Sequence, residues 1–159
     1  NTILNGWQIT GVTRFWSGLP FSVTTNGNAG TLGGGPRADH RGGQIIIKDF
    51  ARRLWFDPFV FGRPRDGELG NTGRNFLRGP GFTNFDLSLF KDFKFTERIK
   101  LQYRAEFFNV FNHLQWFGIN TGIGNVANAN SPVTNPGTFG QLTSTRDARK
   151  IQMALKFSF

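Results

Sequence analysis

Apolar and polar side chains alternate at every second position through four long runs of this chain, and that period leaves little besides β-strand. In 6–17, Trp7, Ile9, Gly11, Thr13 and Phe15 alternate with Gln8, Thr10, Val12, Arg14 and Trp16. In 82–95, Phe85, Leu87, Leu89, Phe93 and Phe95 share one face. Asn84, Asp86, Ser88, Asp92 and Lys94 share the other, with Phe90 as an apolar exception. In 98–112, Ile99, Leu101, Tyr103, Ala105 and Phe107 oppose Arg98, Lys100, Gln102, Arg104 and Glu106. In 148–159, Ile151, Met153, Leu155, Phe157 and Phe159 oppose Lys150, Gln152, Ala154, Lys156 and Ser158. Successive strand side chains point to opposite faces, so each run predicts a strand with two unlike surfaces. No segment keeps a helical period.

The runs span 12 to 15 residues. Globular strands usually have about 5–6, whereas about 9–11 cross a bilayer. The connections are unequal. Residues 95–98 form a tight link between the second and third runs, but 18–81 and 113–147 are long and rich in Gly, Asn and Pro. Alternating short and long connections fit strands that turn briefly on one side of a membrane and extend loops on the other. Short pieces such as 44–48 have the character of additional strand. Lys100, Gln102, Arg104 and Glu106 make a polar strip suited to a wet lumen. Trp7 with Phe15 and Trp16, and Phe107 with Phe108 and Phe111, fall where interfacial aromatic girdles would lie.

Together these features predict an all-β fold. It is an antiparallel up-and-down meander of about four long strands, belonging to a large transmembrane β-barrel. Four strands cannot close a barrel, for which about eight is the known minimum. The chain starts at Asn1 with no basic and apolar leader after it, and it reads as the C-terminal portion of a longer protein. Its 19 Phe and 21 Gly then belong to aromatic strand faces and long loops. The apolar residues are expected to face lipid, and the net charge of +9 to be divided between a lumen and an exterior surface.

Several motifs sharpen the reading. Gly70-Asn71-Thr72-Gly73-Arg74-Asn75 continues through Gly79-Pro80-Gly81 to Asn84 and Asp86-Leu87-Ser88-Leu89-Phe90-Lys91. Arg104-Ala105-Glu106-Phe107-Phe108-Asn109-Val110-Phe111-Asn112-His113 and Phe139-Gly140 follow, and Gly6-Trp7-Gln8 and Ser17-Gly18-Leu19-Pro20-Phe21 precede. This set resembles the C-terminal end of TonB-dependent outer-membrane receptors, particularly the Oar-like group with an N-terminal carboxypeptidase-regulatory-like domain. The resemblance implies a 22-stranded barrel around a plug domain, and neither plug nor TonB box lies within this sequence. It implies TonB-dependent uptake of an unknown ligand, with the TonB complex, the barrel-assembly machinery and outer-membrane lipid or lipopolysaccharide as partners. The location implied is the outer membrane of a Gram-negative-type bacterium.

The last strand also resembles the assembly signal of outer-membrane barrels. Ile151, Met153, Leu155, Phe157 and Phe159 carry that likeness, and an unpaired apolar strand can be captured by strand addition. With a periplasmic C-terminus, the hairpin at Thr96-Glu97 is periplasmic, and 18–81 and 113–147 are extracellular loops.

Other chemistry is poorly represented. His40 and His113 are the only histidines and show no metal-ligand spacing. Glu106 shares a face with Arg104 and reads as half of a charge pair, not a catalytic acid. The carboxylates are scattered, and no enzyme, cofactor or metal centre is expected. The glycines of 30–35 lack the Lys-Ser/Thr of a phosphate-binding loop. The turn Gly70-Asn71-Thr72-Gly73-Arg74-Asn75 reads as a loop-packing element in preference to an anion cradle. Arginines 37, 41, 52, 53, 63, 65, 74 and 78 lie among aromatics and could suit single-stranded nucleic acid. They suit lipopolysaccharide or an acidic ligand better. An outer-membrane barrel without active transport, structural or adhesive, is the alternative, and a soluble nucleic-acid binder is a remote one.

Overall fold

The structure, a computed structural model, describes residues 5–25, 36–124 and 128–159. The glycine-rich stretch 30–35 therefore lies outside the described residues. The described chain is all-β apart from one short 3-10 turn at Pro58–Val60, and it divides into two compact units.

The first unit is a four-stranded sheet made of β1 (Trp7–Trp16), β2 (Phe82–Lys94), β3 (Lys100–Phe108) and β4 (Lys150–Ser158). Every neighbouring pair is antiparallel, and sheet order follows chain order. This is the expected meander. Its outer edges, on β1 and β4, pair with no other strand among the described residues. Registration is continuous: Ile9 faces Leu89, Leu89 faces Ala105, and Ala105 faces Met153. A one-residue slip would transfer every side chain to the wrong face, so the alternation itself pins the register.

Strand β3 stops at Phe108, four residues before the end of its alternating run. Asn109 and Asn112 both take left-handed backbone, at φ 54° and 53°. Asn tolerates this region better than other residues with a side chain. The Asn109 side chain accepts from the backbone N–H of His113 and donates to its carbonyl, turning the chain out of the sheet.

The second unit is built from Ser17–Gly81 and Trp116–Thr145, the bulk of the two long connections. These are folded segments with a core of their own. Val23, Ala38, Trp55, Phe56, Phe61, Leu77, Ile123, Val133, Phe139 and Leu142 are buried together. Phe56 and Phe139 meet edge-on with ring centroids 5.0 Å apart, and Phe61 packs edge-on against both. The expectation that the apolar residues would serve a lipid-facing surface is corrected for this group. Short pairings frame the core: Pro20–Phe21 with Leu77–Arg78, Asp39–His40 with Phe61–Gly62, and Trp116–Ile119 with Leu142–Thr145. The extra strand anticipated around 44–48 lies at Ile46–Asp49 and pairs with Leu54–Phe56.

Candidate functional site

The sheet has two chemically distinct faces, and the register assigns each residue to one of them. Ile9, Leu87, Leu89, Leu101, Tyr103, Ala105, Phe107, Ile151, Met153, Leu155 and Phe157 share the apolar face. On β4 these side chains are widely exposed, 69 % for Leu155 and 65 % for Met153. A soluble sheet would cover so continuous an apolar surface with another layer. Among the described residues of this unit, no layer does so.

The polar face is laced by charge. Arg14 of β1 pairs with Asp86 of β2 at 2.6 Å. Asp86 also accepts from the Asn84 side chain at 2.7 Å and from the backbone N–H of Asn109 at 2.9 Å. Arg104 pairs with Glu106 along β3, and Glu106 lies within 3.5 Å of the Ser88 hydroxyl. Gln102 donates to Asp92 across the β2–β3 pair at 2.8 Å. The predicted strip of Lys100, Gln102, Arg104 and Glu106 therefore lies on one face, and Arg14, Asn84, Asp86, Ser88 and Asp92 extend it across the neighbouring strands. In a large barrel, strands alternate apolar-out and polar-in, with hydrated side chains lining the interior.

Within the strands each face holds a residue of sharply opposite character, Phe90 on one and Lys91 on the other, and both are accommodated. Phe90 lies on the polar face, directly across from Arg104. Lys91 lies on the apolar face, in a row that runs Trp7, Lys91, Tyr103 and Leu155 across the four strands. Its ammonium lies 5.0 Å from the Trp7 ring centroid and 5.2 Å from that of Phe93. It also donates to the Asn5 carbonyl. A long amphipathic stem with its charge anchored among rings is the arrangement expected at a membrane interface, where Trp and Tyr concentrate. The residue number alone places Lys91 on this face, yet period counting over apolar positions passes over it.

At the opposite end of the strands, Phe85 meets Phe15 and Phe111 edge-on at 5.7 and 5.2 Å, and Phe111 stacks on His113. Only part of the predicted girdle belongs here. Trp16 and Phe108 fall on the polar-face parity, where Trp16 packs on Phe82 at 5.3 Å. Arg14 and Arg146 both approach the Phe82 ring. Nearby, Lys150 donates to Asp147 and, through that hydrogen bond and its charge, holds the carboxyl below the ordinary carboxylate range.

The turn formed by Gly70, Asn71, Gly73, Arg74, Asn75, Gly79, Pro80 and Gly81 lies in the second unit and ties its segments together. Gly70, at φ 80°, passes so close to Arg37 that a β-carbon would lie 2.0 Å from its carbonyl oxygen. The Asn71 side chain accepts from the backbone N–H of His40 and donates to the His40 carbonyl. The Asn75 backbone N–H donates to the Ser22 hydroxyl at 2.8 Å. The Gly79 N–H donates to the Leu19 carbonyl, while the Trp55 indole donates to the Arg78 carbonyl. These polar groups are spent on internal packing. Among the described residues, no three His, Asp or Glu side chains converge as metal ligands.

An open, two-faced antiparallel sheet with an apolar surface on one side and an ion-paired surface on the other is the wall of a membrane-spanning β-barrel. The chain belongs to the outer membrane beta barrel domain family, whose model matches residues 1–152. That membership places it in the outer membrane of a Gram-negative cell. No curated protein and no solved structure matches the chain.

Proposed function

We propose that these strands form the C-terminal wall of an outer-membrane receptor of the TonB-dependent, Oar-like kind, which imports a ligand and performs no catalysis. The observation that carries this reading is the polar face. Its ion pairs Arg14–Asp86 and Arg104–Glu106 suit a wide hydrated lumen, of the sort a large transporter encloses, better than the packed interior of a small barrel. The sequence likeness in 70–91 and 104–113 supplies the receptor class. In the same reading the connections 18–81 and 113–147 are extracellular loops, whose arginines meet lipopolysaccharide or an acidic ligand. Strand β4, with Ile151, Met153, Leu155, Phe157 and Phe159, is the part that the barrel-assembly machinery engages.

Cross-linking of the full-length protein to TonB in living cells tests the import reading without knowledge of the ligand. A TonB adduct is expected. Normal surface levels with no adduct would leave a structural or adhesive barrel as the function.

A further inference from the structure

The two ends of the apolar face treat their cations differently. At the hairpin end, Lys91 is 2 % exposed and donates inward to the Asn5 carbonyl, among the rings of Trp7 and Phe93. At the loop end, Arg149 is exposed. Its backbone N–H donates to the Asn112 side chain at 3.0 Å, and its guanidinium reaches the Val110 carbonyl at 3.5 Å. Among the described residues no carboxylate pairs with Arg149, and Asp147, two residues away, pairs with Lys150.

Val110 and Asn112 flank Phe111, so these bonds set Arg149 at the rim of an aromatic group. Phe111 is 62 % exposed and meets Phe85 edge-on, and Phe85 meets Phe15 in the same way. Phe15, Phe85 and Ile151 all have the parity of the apolar face. Charge is costly in hydrocarbon, so a cation at the edge of a lipid-facing surface lies in the headgroup layer, where aromatic residues also gather.

We infer that Arg149 binds a phosphate of lipid A, whose acyl chains lie against Ile151, Phe15 and Phe111. Charge complementarity selects an anion, and the lipid side of the sheet selects a lipid. Lipid A carries phosphates where its sugars meet its acyl chains. A planar guanidinium can donate two parallel N–H bonds to one such phosphate, which an ammonium cannot. The site is separate from the arginines of the long connections, since Arg149 lies in neither. The inference rests on 113–147 being extracellular, which puts this end of the strands in the outer leaflet. It does not depend on import by TonB.

The test is native mass spectrometry of the full-length protein in detergent, titrated separately with bis-phosphorylated lipid A, its dephosphorylated form and phosphatidylglycerol. Lipid A should be retained, and R149Q should weaken its binding about tenfold, the scale of a charge-assisted hydrogen bond. R149K should recover part of the loss. Dephosphorylated lipid A should bind the wild type no better than lipid A binds R149Q. If R149Q fails to assemble, the two forms of lipid A compared on the wild type decide. Undiminished binding to R149Q, equal binding of dephosphorylated lipid A or phosphatidylglycerol, or displacement of lipid A by inorganic phosphate would each overturn the inference. Thr134 is exposed within 113–147, and labelling of T134C in intact cells by an impermeant maleimide reports the orientation separately. Labelling is expected. Labelling only after lysis would overturn the orientation and the lipid A site together, whereas normal labelling with unchanged R149Q binding would overturn the site alone.

Discussion

Arg104 stands directly across from Phe90 on the polar face, with its guanidinium carbon 5.3 Å from the centre of the ring. The pairing explains how a large apolar side chain is held where its neighbours are Ser88, Asp92 and Glu106. The guanidinium covers the ring and at the same time pairs with Glu106. One cation thus joins an apolar exception to the charged network. Lys91 and Trp7 form the corresponding pair on the apolar face.

The face assignment predicts unequal effects from adjacent substitutions. Leu89 sits near the middle of β2, in the row with Ile9, Ala105 and Met153. Leu89→Arg should destabilise the membrane-inserted protein by about 2–4 kcal/mol if that row lies near the bilayer midplane. Ser88→Arg, on the polar face, should cost much less. Denaturant unfolding in lipid vesicles gives the comparison, and equal costs would show that the faces are misassigned.

Asn109 ends β3 by backbone conformation and by its side-chain bonds to His113. Asn109→Ala should lose about 1–2 kcal/mol from left-handed backbone alone. Each lost hydrogen bond should remove about 1 kcal/mol more. Asn109→Gly should recover the first part and not the second. Thermal unfolding of the two variants separates the contributions, and no difference between them would refute the backbone argument.

The core of the second unit predicts a local phenotype. Phe56 is fully buried between Phe61 and Phe139. Phe56→Ala should cost about 3–5 kcal/mol within that unit. Proteases applied to the purified protein in detergent micelles should then cleave 17–81 while the strands of the sheet remain protected. Unchanged resistance would mean that the buried rings do not hold the connections together.

Phe159 is almost fully exposed and lies 6.0 Å, ring to ring, from Phe157. Phe159→Glu in the full-length protein should lower the amount reaching the cell surface, measured against an unrelated barrel protein. Normal surface levels would sink the assembly role of β4.

Acid should loosen the start of β4. Because Lys150 lowers the Asp147 pKa in the folded protein, the pair stabilises above the unfolded carboxyl pKa and is lost as pH falls through the lower, folded value. Faster amide exchange around 147–150 at acidic pH, with little change at neutral pH, is the expected signature. A D147N variant should show no such step.

The local pattern determined much of this protein. Alternation gave the four strands, the composition of both faces and the polar strip of Lys100, Gln102, Arg104 and Glu106, while the unequal connections gave the up-and-down order. The faces depend on side-chain parity, which a strand expresses residue by residue. Tertiary structure decided where alternation stops and what the long connections do. Asn109 ends β3 because its side chain meets His113, which no period reveals. Phe56, Phe61 and Phe139 look like scattered loop aromatics in sequence, and they form a core only when distant segments are brought together. The place of Lys91 beside Trp7 likewise needed the register between strands. Parity is local information, but contacts between remote residues are created by the fold.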